Sequence, residues 1–154
     1  MWRTHWFPAL FFLWSAMYAG DPFVGKWRLN VERSDFGGGP KAKSGSAKYK
    51  ADKNGYLYES ETVFGKGEVA RLSFPVRFDG VVYPGTLDGH DLVFTAKKID
   101  ENSYNVLISD RVNGKATQVF HYTLSSDNKT LTFAWIKGSA EKPVVHWALL
   151  YDRE

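Results

Sequence analysis

The sequence predicts an all-β protein, an antiparallel up-and-down β-barrel of about ten strands. Three observations carry that expectation. Turn signals recur every 9 to 14 residues, the segments between them alternate with period two, and helical spacing is not sustained anywhere after the first 20 residues. The turn signals are Asn54-Gly55, Gly65-Lys66-Gly67, Asp79-Gly80, Asp88-Gly89, Glu101-Asn102, Asn113-Gly114 and Asp127-Asn128. Asn-Gly and Asp-Gly tolerate the positive φ of tight hairpins, so they mark the places where one strand folds back on the last.

The strands follow in order. Candidate segments run over 23–30, 46–53, 56–64, 68–78, 81–86, 91–98, 103–110, 115–124, 130–137 and 144–151. "ARLSFPVRF" places Ala70, Leu72, Phe74, Val76 and Phe78 on one face, with Arg71, Ser73, Pro75 and Arg77 on the other. "VFHYTL" groups Phe120, Tyr122 and Leu124, and "TLTFAW" groups Leu131, Phe133 and Trp135. Such alternation is the mark of a half-buried strand. Most connections are short, so each strand pairs antiparallel with its predecessor. The exception is the Gly-rich stretch 31–45, "VERSDFGGGPKAKSG", which reads as a flexible loop or lid with room for one short helical turn. An open meander this long would leave two bare edges, and closure removes them. A two-sheet β-sandwich of Greek-key type is the alternative, but it needs at least one long return connection.

The first 20 residues have the layout of a secretory signal peptide. Arg3 begins it, Trp6 to Trp14 is apolar except for Pro8, and the small residues Ser15, Ala16, Ala19 and Gly20 follow. The apolar run is shorter than the about 20 residues needed to span a bilayer. Cleavage after Ala19 or Gly20 would leave 21–154 as one domain, secreted or periplasmic, with no membrane span. The chain has no cysteine, which excludes disulfides and a bacterial lipoprotein anchor and leaves a packed core as the source of stability. A formal charge of +3, from 20 Lys plus Arg against 17 Asp plus Glu, is too small and too dispersed for a nucleic-acid binder. The cluster Lys41, Lys43, Lys48, Lys50 and Lys53 reads as a solvated loop and strand edge.

"FVGKWRL", Phe23–Leu29, resembles the first barrel strand of the calycins, the lipocalins and fatty-acid-binding proteins, which share a Gly-x-Trp matched here by Gly25 and Trp27. The chain also resembles lipocalin-like bacterial secreted proteins of unassigned function, through Trp-x-Leu-Asn and the "SFPVRFDG" segment that leads to Tyr83-Pro84. The resemblance implies that Gly25 bends the first strand across the barrel floor and that Trp27 plugs it. It also implies that an arginine from the last strand, here Arg153, lies over the Trp face. One feature of the fatty-acid-binding branch does not carry over. That branch holds the ligand carboxylate with an Arg two residues before a Tyr on the last strand, whereas this chain has Leu149 before Tyr151. The 31–45 connection is also short for that branch's two-helix lid, and lipocalin-like is the better description.

The shared apolar face puts Phe23, Trp27, Tyr49, Tyr58, Leu72, Phe74, Phe94, Tyr104, Val106, Phe120, Tyr122 and Trp135 inside the barrel. Tyr49, Tyr58, Phe74, Tyr104, Tyr122 and Trp135 are the candidate pocket lining for a small hydrophobic or aromatic molecule, with the mouth near 31–45. The competing reading is a structural or interaction module whose bulky side chains fill the core themselves. A haem-binding barrel with His146 as the iron ligand is a further alternative; His90 and His121 read as surface residues. Asp88, His90 and Asp91 share a tight turn, too few and too close for a metal site. Glu59 and Glu61 share a strand face, but read as solvated charges and not as a glycosidase pair. Asn128-Lys129-Thr130 is a glycosylation sequon, relevant only in a eukaryotic secretory pathway. No nucleophile, acid and base converge, so the expectation is a non-catalytic binder without cofactor or metal.

Overall fold

The computed structural model describes residues 20–139 and 142–154. Apart from Gly20, the expected leader lies outside the described residues. Ten strands follow one another: β1 Gly25–Leu29, β2 Ala42–Asp52, β3 Gly55–Phe64, β4 Val69–Val76, β5 Tyr83–Leu87, β6 His90–Asp100, β7 Ser103–Asp110, β8 Ala116–Leu124, β9 Thr130–Ser139 and β10 Lys142–Arg153. Each strand pairs antiparallel with its neighbours in sequence, and β1 also pairs with β10, through Trp27↔Arg153 and Leu29↔Tyr151. The barrel is closed, so the sandwich alternative does not hold.

The strand boundaries differ from the sequence expectation most at β2. It begins at Ala42 rather than 46, because Ala42 and Ser44 continue the ladder with Phe64 and Val63 of β3 across a register irregularity. The connection between β1 and β2 holds no helical turn and is tied down. Asp35 forms an isolated bridge with Ala148 of β10, with reciprocal backbone bonds of 2.8 and 2.9 Å. The Ser34 hydroxyl donates to the Asn30 carbonyl and accepts from the Leu150 amide. The loop therefore runs on as a partial extra strand beside β10. At Gly37, φ is +61° and a Cβ would stand 2.2 Å from the His146 carbonyl oxygen, so only glycine lets the loop lie this close to β10.

Period two decides what faces inward. On β3, Glu59 and Glu61 point outward, into exposed ion pairs with Lys50 and Arg71 at 2.8 and 2.9 Å. Tyr56, Tyr58 and Thr62, which alternate with them, are buried. Exposed pairs of that kind contribute about 0–1 kcal/mol each, so the core carries the stability. That core is aromatic and occupies one end of the barrel. Phe74 stacks on Phe94 with centroids 4.6 Å apart, Tyr104 on Tyr122 at 4.9 Å and Tyr122 on Phe133 at 4.7 Å. Aromatic pairs add about 0.5–1.5 kcal/mol each beyond their area burial.

The same end is sealed by Trp27, which is fully buried and donates from its indole nitrogen to the Phe23 carbonyl at 3.1 Å. The Arg153 guanidinium sits 4.2 Å from the Trp27 ring centroid. It donates to the carbonyl oxygens of Asn128 (2.8 Å), Val24 (3.1 Å) and Pro22. Gly25, at φ +139°, passes directly beneath it, where a Cβ would lie 3.1 Å from the Arg153 Nη1 atom.

Candidate functional site

Above the packed layers of Tyr49, Tyr58, Phe74 and Tyr122 lies a cavity of about 380 Å³. That is within the about 300–1,000 Å³ range of small-molecule pockets. It is also room for roughly a dozen waters at about 30 Å³ each. The wall is apolar: Leu72 and Leu87 come from β4 and β5, Phe120 from β8, Phe133 and Trp135 from β9, and Trp147 and Leu149 from β10. The pinned loop closes it over, contributing Phe36, Gly37, Gly39 and Pro40. Phe64 and Ala70, at the ends of β3 and β4 facing that loop, complete the upper wall. Arg71 and His146 are the ionisable groups on the cavity surface, and both are exposed at its rim.

Strand register explains the grouping. Trp135 is the partner of Phe120 on β8 and of Trp147 on β10, so three large rings meet at one height. Trp135 also receives the His146 ring edge-to-face at 4.7 Å, and Lys137 lies 4.4 Å from its centroid on the way out to solvent. Shared inward direction along β3 brings Ser60 and Thr62 to the cavity just above Tyr58.

Two polar hydroxyls on that otherwise apolar wall have company beneath them. Thr62 interacts with Tyr151, and Ser60 with Tyr58, whose hydroxyl also faces that of Tyr122. The Tyr58 and Tyr122 hydroxyls are fully buried and neither meets a partner in hydrogen-bond geometry. Lower in the barrel the polarity is resolved, since Tyr49 and Tyr104 share a hydrogen bond of 2.5 Å. Burial pushes the Tyr58 hydroxyl up to about 12. It also raises those of Tyr49, Tyr104, Tyr122 and Tyr151 well above the ordinary tyrosine value. These groups are neutral donors and acceptors throughout the physiological range.

Of the six residues expected to line a pocket, Trp135 lies on the cavity wall. Tyr49, Tyr58, Phe74 and Tyr122 stand in the packed layers below it, each at most 1 % exposed. Tyr104 belongs to the same packing, and its other side borders a second, polar pocket of about 390 Å³. That pocket lies at the sealed end, among Asp21, Lys98, Asp100 and Asn102. Ser60, Thr62, Phe133, Trp147 and Leu149 line the cavity but were not among the residues expected to line a pocket. The signal for the first two was present: once Glu59 and Glu61 point outward, the residues between and after them point in.

The remaining candidates are placed as follows. His121 is on the outer face, with Nδ1 at 2.7 Å from Asn105 Oδ1 and Nε2 at 2.7 Å from Thr123 Oγ1. His90 is exposed at the β5–β6 turn. Asp88, in the same turn, uses its carboxylate to accept from the Arg71 amide at 2.7 Å. Among the described residues no group of three or more His, Cys, Asp or Glu could hold a metal ion.

The barrel has close structural counterparts at low sequence identity. It superposes on a mutant of the fluorescent protein UnaG with a TM-score of 0.60, at 14% identity over 86% of this chain and 96% of that one. The apo form of lipid binding protein 8 from Caenorhabditis elegans matches with a TM-score of 0.52 and 13% identity, over 90% of this chain and 100% of the other. The fatty acid transporter REP1-NXSQ matches with a TM-score of 0.50 and 18% identity, over 85% and 95%. What these structures share with the chain is the fold, a closed barrel of ten antiparallel strands here. No protein-family model matches the chain, and no curated protein matches it by sequence. In this barrel, the described residues that bridge β1 and β2 form turns and a bridge to β10, with no helix among them.

Proposed function

We propose that this calycin barrel is a non-catalytic binder of a small hydrophobic or aromatic molecule, working in the periplasm or outside the cell. The carrying observation is the partly open, apolar-walled cavity of about 380 Å³ above a packed floor. Two of the structural counterparts, a lipid binding protein and a fatty acid transporter, carry names that support the same reading. Among the described residues, the polar side chains on the cavity surface are two hydroxyls, an exposed arginine and an exposed histidine. Export rests on the leader-like layout of the first 20 residues.

Native mass spectrometry of protein purified from its own host tests the binding, with N-terminal sequencing of the same sample testing removal of the leader. The expected result is a co-purifying hydrophobic molecule on a chain beginning at Gly20 or Asp21. Titration with lipids and with haem, followed by tryptophan fluorescence, supplies the complement, because Trp135 and Trp147 line the cavity. No co-purified molecule and no response to any titrant would favour a structural module instead. A filling variant, Leu72→Trp, is expected to abolish the response while leaving the barrel folded.

A further inference from the structure

We propose that the cavity selects ligands carrying a neutral oxygen function at their buried end, such as a long-chain alcohol, aldehyde or ester, with Ser60 and Thr62 as the residues that bind that oxygen. The inference rests on the reading of the cavity as a binding site and adds the ligand's chemistry and orientation. Among the described residues, Ser60 and Thr62 are the hydroxyls on the cavity surface; Ser60 is one inward-facing step above Tyr58, and Thr62, level with Ala70, is one step further up. Beneath them the Tyr58 hydroxyl is fully buried and interacts with the hydroxyls of Ser60 and Tyr122 without reaching good hydrogen-bond geometry with either. Leaving a buried hydroxyl unpaired is unfavourable, so an oxygen atom delivered to this corner from the cavity satisfies Ser60 and, through it, Tyr58.

Charge decides which oxygen. Among the described residues no cation stands at the inner end; Arg71 is at the rim, exposed and paired with Glu61 at 2.9 Å, and His146 is likewise at the rim. The position on β10 that faces the cavity above Tyr151 is Leu149, an apolar wall residue. A carboxylate pushed down to Ser60 and Thr62 would be a buried anion without a counter-ion, which is far less favourable than a buried neutral group held by hydrogen bonds. Hydroxyl groups donate and accept, so they serve a carbonyl and an alcohol equally.

The test is a matched series: lauryl alcohol, methyl laurate, lauric acid and dodecane, each titrated into the full-length mature protein at mildly alkaline pH. The alcohol and the ester are expected to bind at least about tenfold tighter than both the acid and the alkane, the factor expected for one well-made buried hydrogen bond. Ser60→Ala and the near-isosteric Thr62→Val should each weaken the alcohol about tenfold and leave the alkane unchanged, with urea unfolding confirming the fold. Tyr58→Phe, which removes no cavity surface, gives a further check through the same selective loss. Equal binding by all four compounds overturns this proposal and leaves the binding function standing. Tighter binding of the acid that disappears in Arg71→Gln also overturns it, placing the head group at the rim. Binding by none of the four overturns this proposal, and the co-purification and haem titration then decide the binding function separately.

Discussion

Arg153 offers the sharpest test of how the barrel is sealed. Replacing it with leucine keeps much of the side-chain bulk and removes the guanidinium from the Trp27 ring, 4.2 Å away. A partly desolvated cation–π contact contributes about 1–2 kcal/mol. The same group also donates to the carbonyl oxygens of Pro22, Val24 and Asn128, joining the N-terminal segment and the β8–β9 turn to the end of β10. Hydrogen bonds from a charged donor contribute about 1.5–3 kcal/mol when buried, and these lie at a solvent-exposed edge, so about 1 kcal/mol for the set is a fair discount. The expected loss is about 2–3 kcal/mol, read by urea denaturation followed through tryptophan fluorescence. Arg153→Lys retains a cation but lacks the fork that reaches three acceptors, and is expected to lose about half as much. The m-value should not change in either variant, because the surface exposed on unfolding is the same. A loss below about 0.5 kcal/mol for Arg153→Leu would refute the argument, showing that Trp27 closes the floor by burial alone.

The tyrosines yield a contrast: Tyr49→Phe breaks the Tyr49–Tyr104 hydrogen bond and should destabilise by about 1 kcal/mol, whereas Tyr58→Phe removes an unpaired hydroxyl and should be neutral or slightly stabilising. Parallel denaturation curves decide it, and equal losses would remove the basis for calling the Tyr58 hydroxyl unsatisfied. Gly37→Ala forces a Cβ against the His146 carbonyl at positive φ and should displace the 30–41 loop from β10. Faster amide exchange at Asp35 and Ala148 and a stability loss of about 1–3 kcal/mol are expected; unchanged exchange would show that the loop has slack. Alkaline pH should unfold the protein steeply. Burial disfavours the charged form of the Tyr58 hydroxyl and pushes it up to about 12 in the folded barrel, above the ordinary tyrosine value of about 10. A raised folded value means that the stability is fully present below about pH 10 and is lost as pH rises through the folded value. For Tyr58 alone that amounts to about 2–3 kcal/mol, and Tyr49, Tyr104, Tyr122 and Tyr151 shift in the same direction. Tyrosinate absorbance should therefore rise together with loss of the β-sheet circular dichroism signal; ionisation of these rings in the folded barrel would contradict their burial.

Much of the fold was legible because its code is local. Alternation along "ARLSFPVRF" and "TLTFAW" separates inside from outside, and the Asn-Gly and Asp-Gly turns separate one strand from the next. Height along the barrel axis is not local. Tyr58 and Trp135 both face inward, yet one lies in the packed floor and the other on the cavity wall. What separates them is the stagger of paired strands: Tyr58 is level with Phe74 and Tyr49, and Trp135 with Phe120 and Trp147. No single strand records that stagger. The Gly-rich 31–45 stretch misled in the opposite direction, since composition suggested freedom where Gly37 in fact permits close contact with β10.

The same distinction between facing and height governs what the site can recognise. On β10 the inward face reads Trp147, Leu149, Tyr151, and in that order it passes from the upper cavity to the packed layer. A cation at Leu149 would have stood on the cavity wall that Thr62 also lines, two residues from Tyr151 on β10, and made this depth a place for an anion. With leucine there, the polar atoms left at that depth are hydroxyls, on Ser60, Thr62, Tyr58, Tyr122 and Tyr151, and every tyrosine among them is held neutral by burial. An anionic ligand could meet a positive charge only by reversing, head outward toward Arg71, where solvent and Glu61 already compete for that charge. The two orientations differ in which residues they depend on, so Leu149→Arg is a test of the whole scheme. It should convert a preference for the alcohol into one for the acid, with the new cation beside hydroxyls able to hold a carboxylate, and a variant that folds yet still prefers the alcohol would show that the inner end does not set the head-group choice.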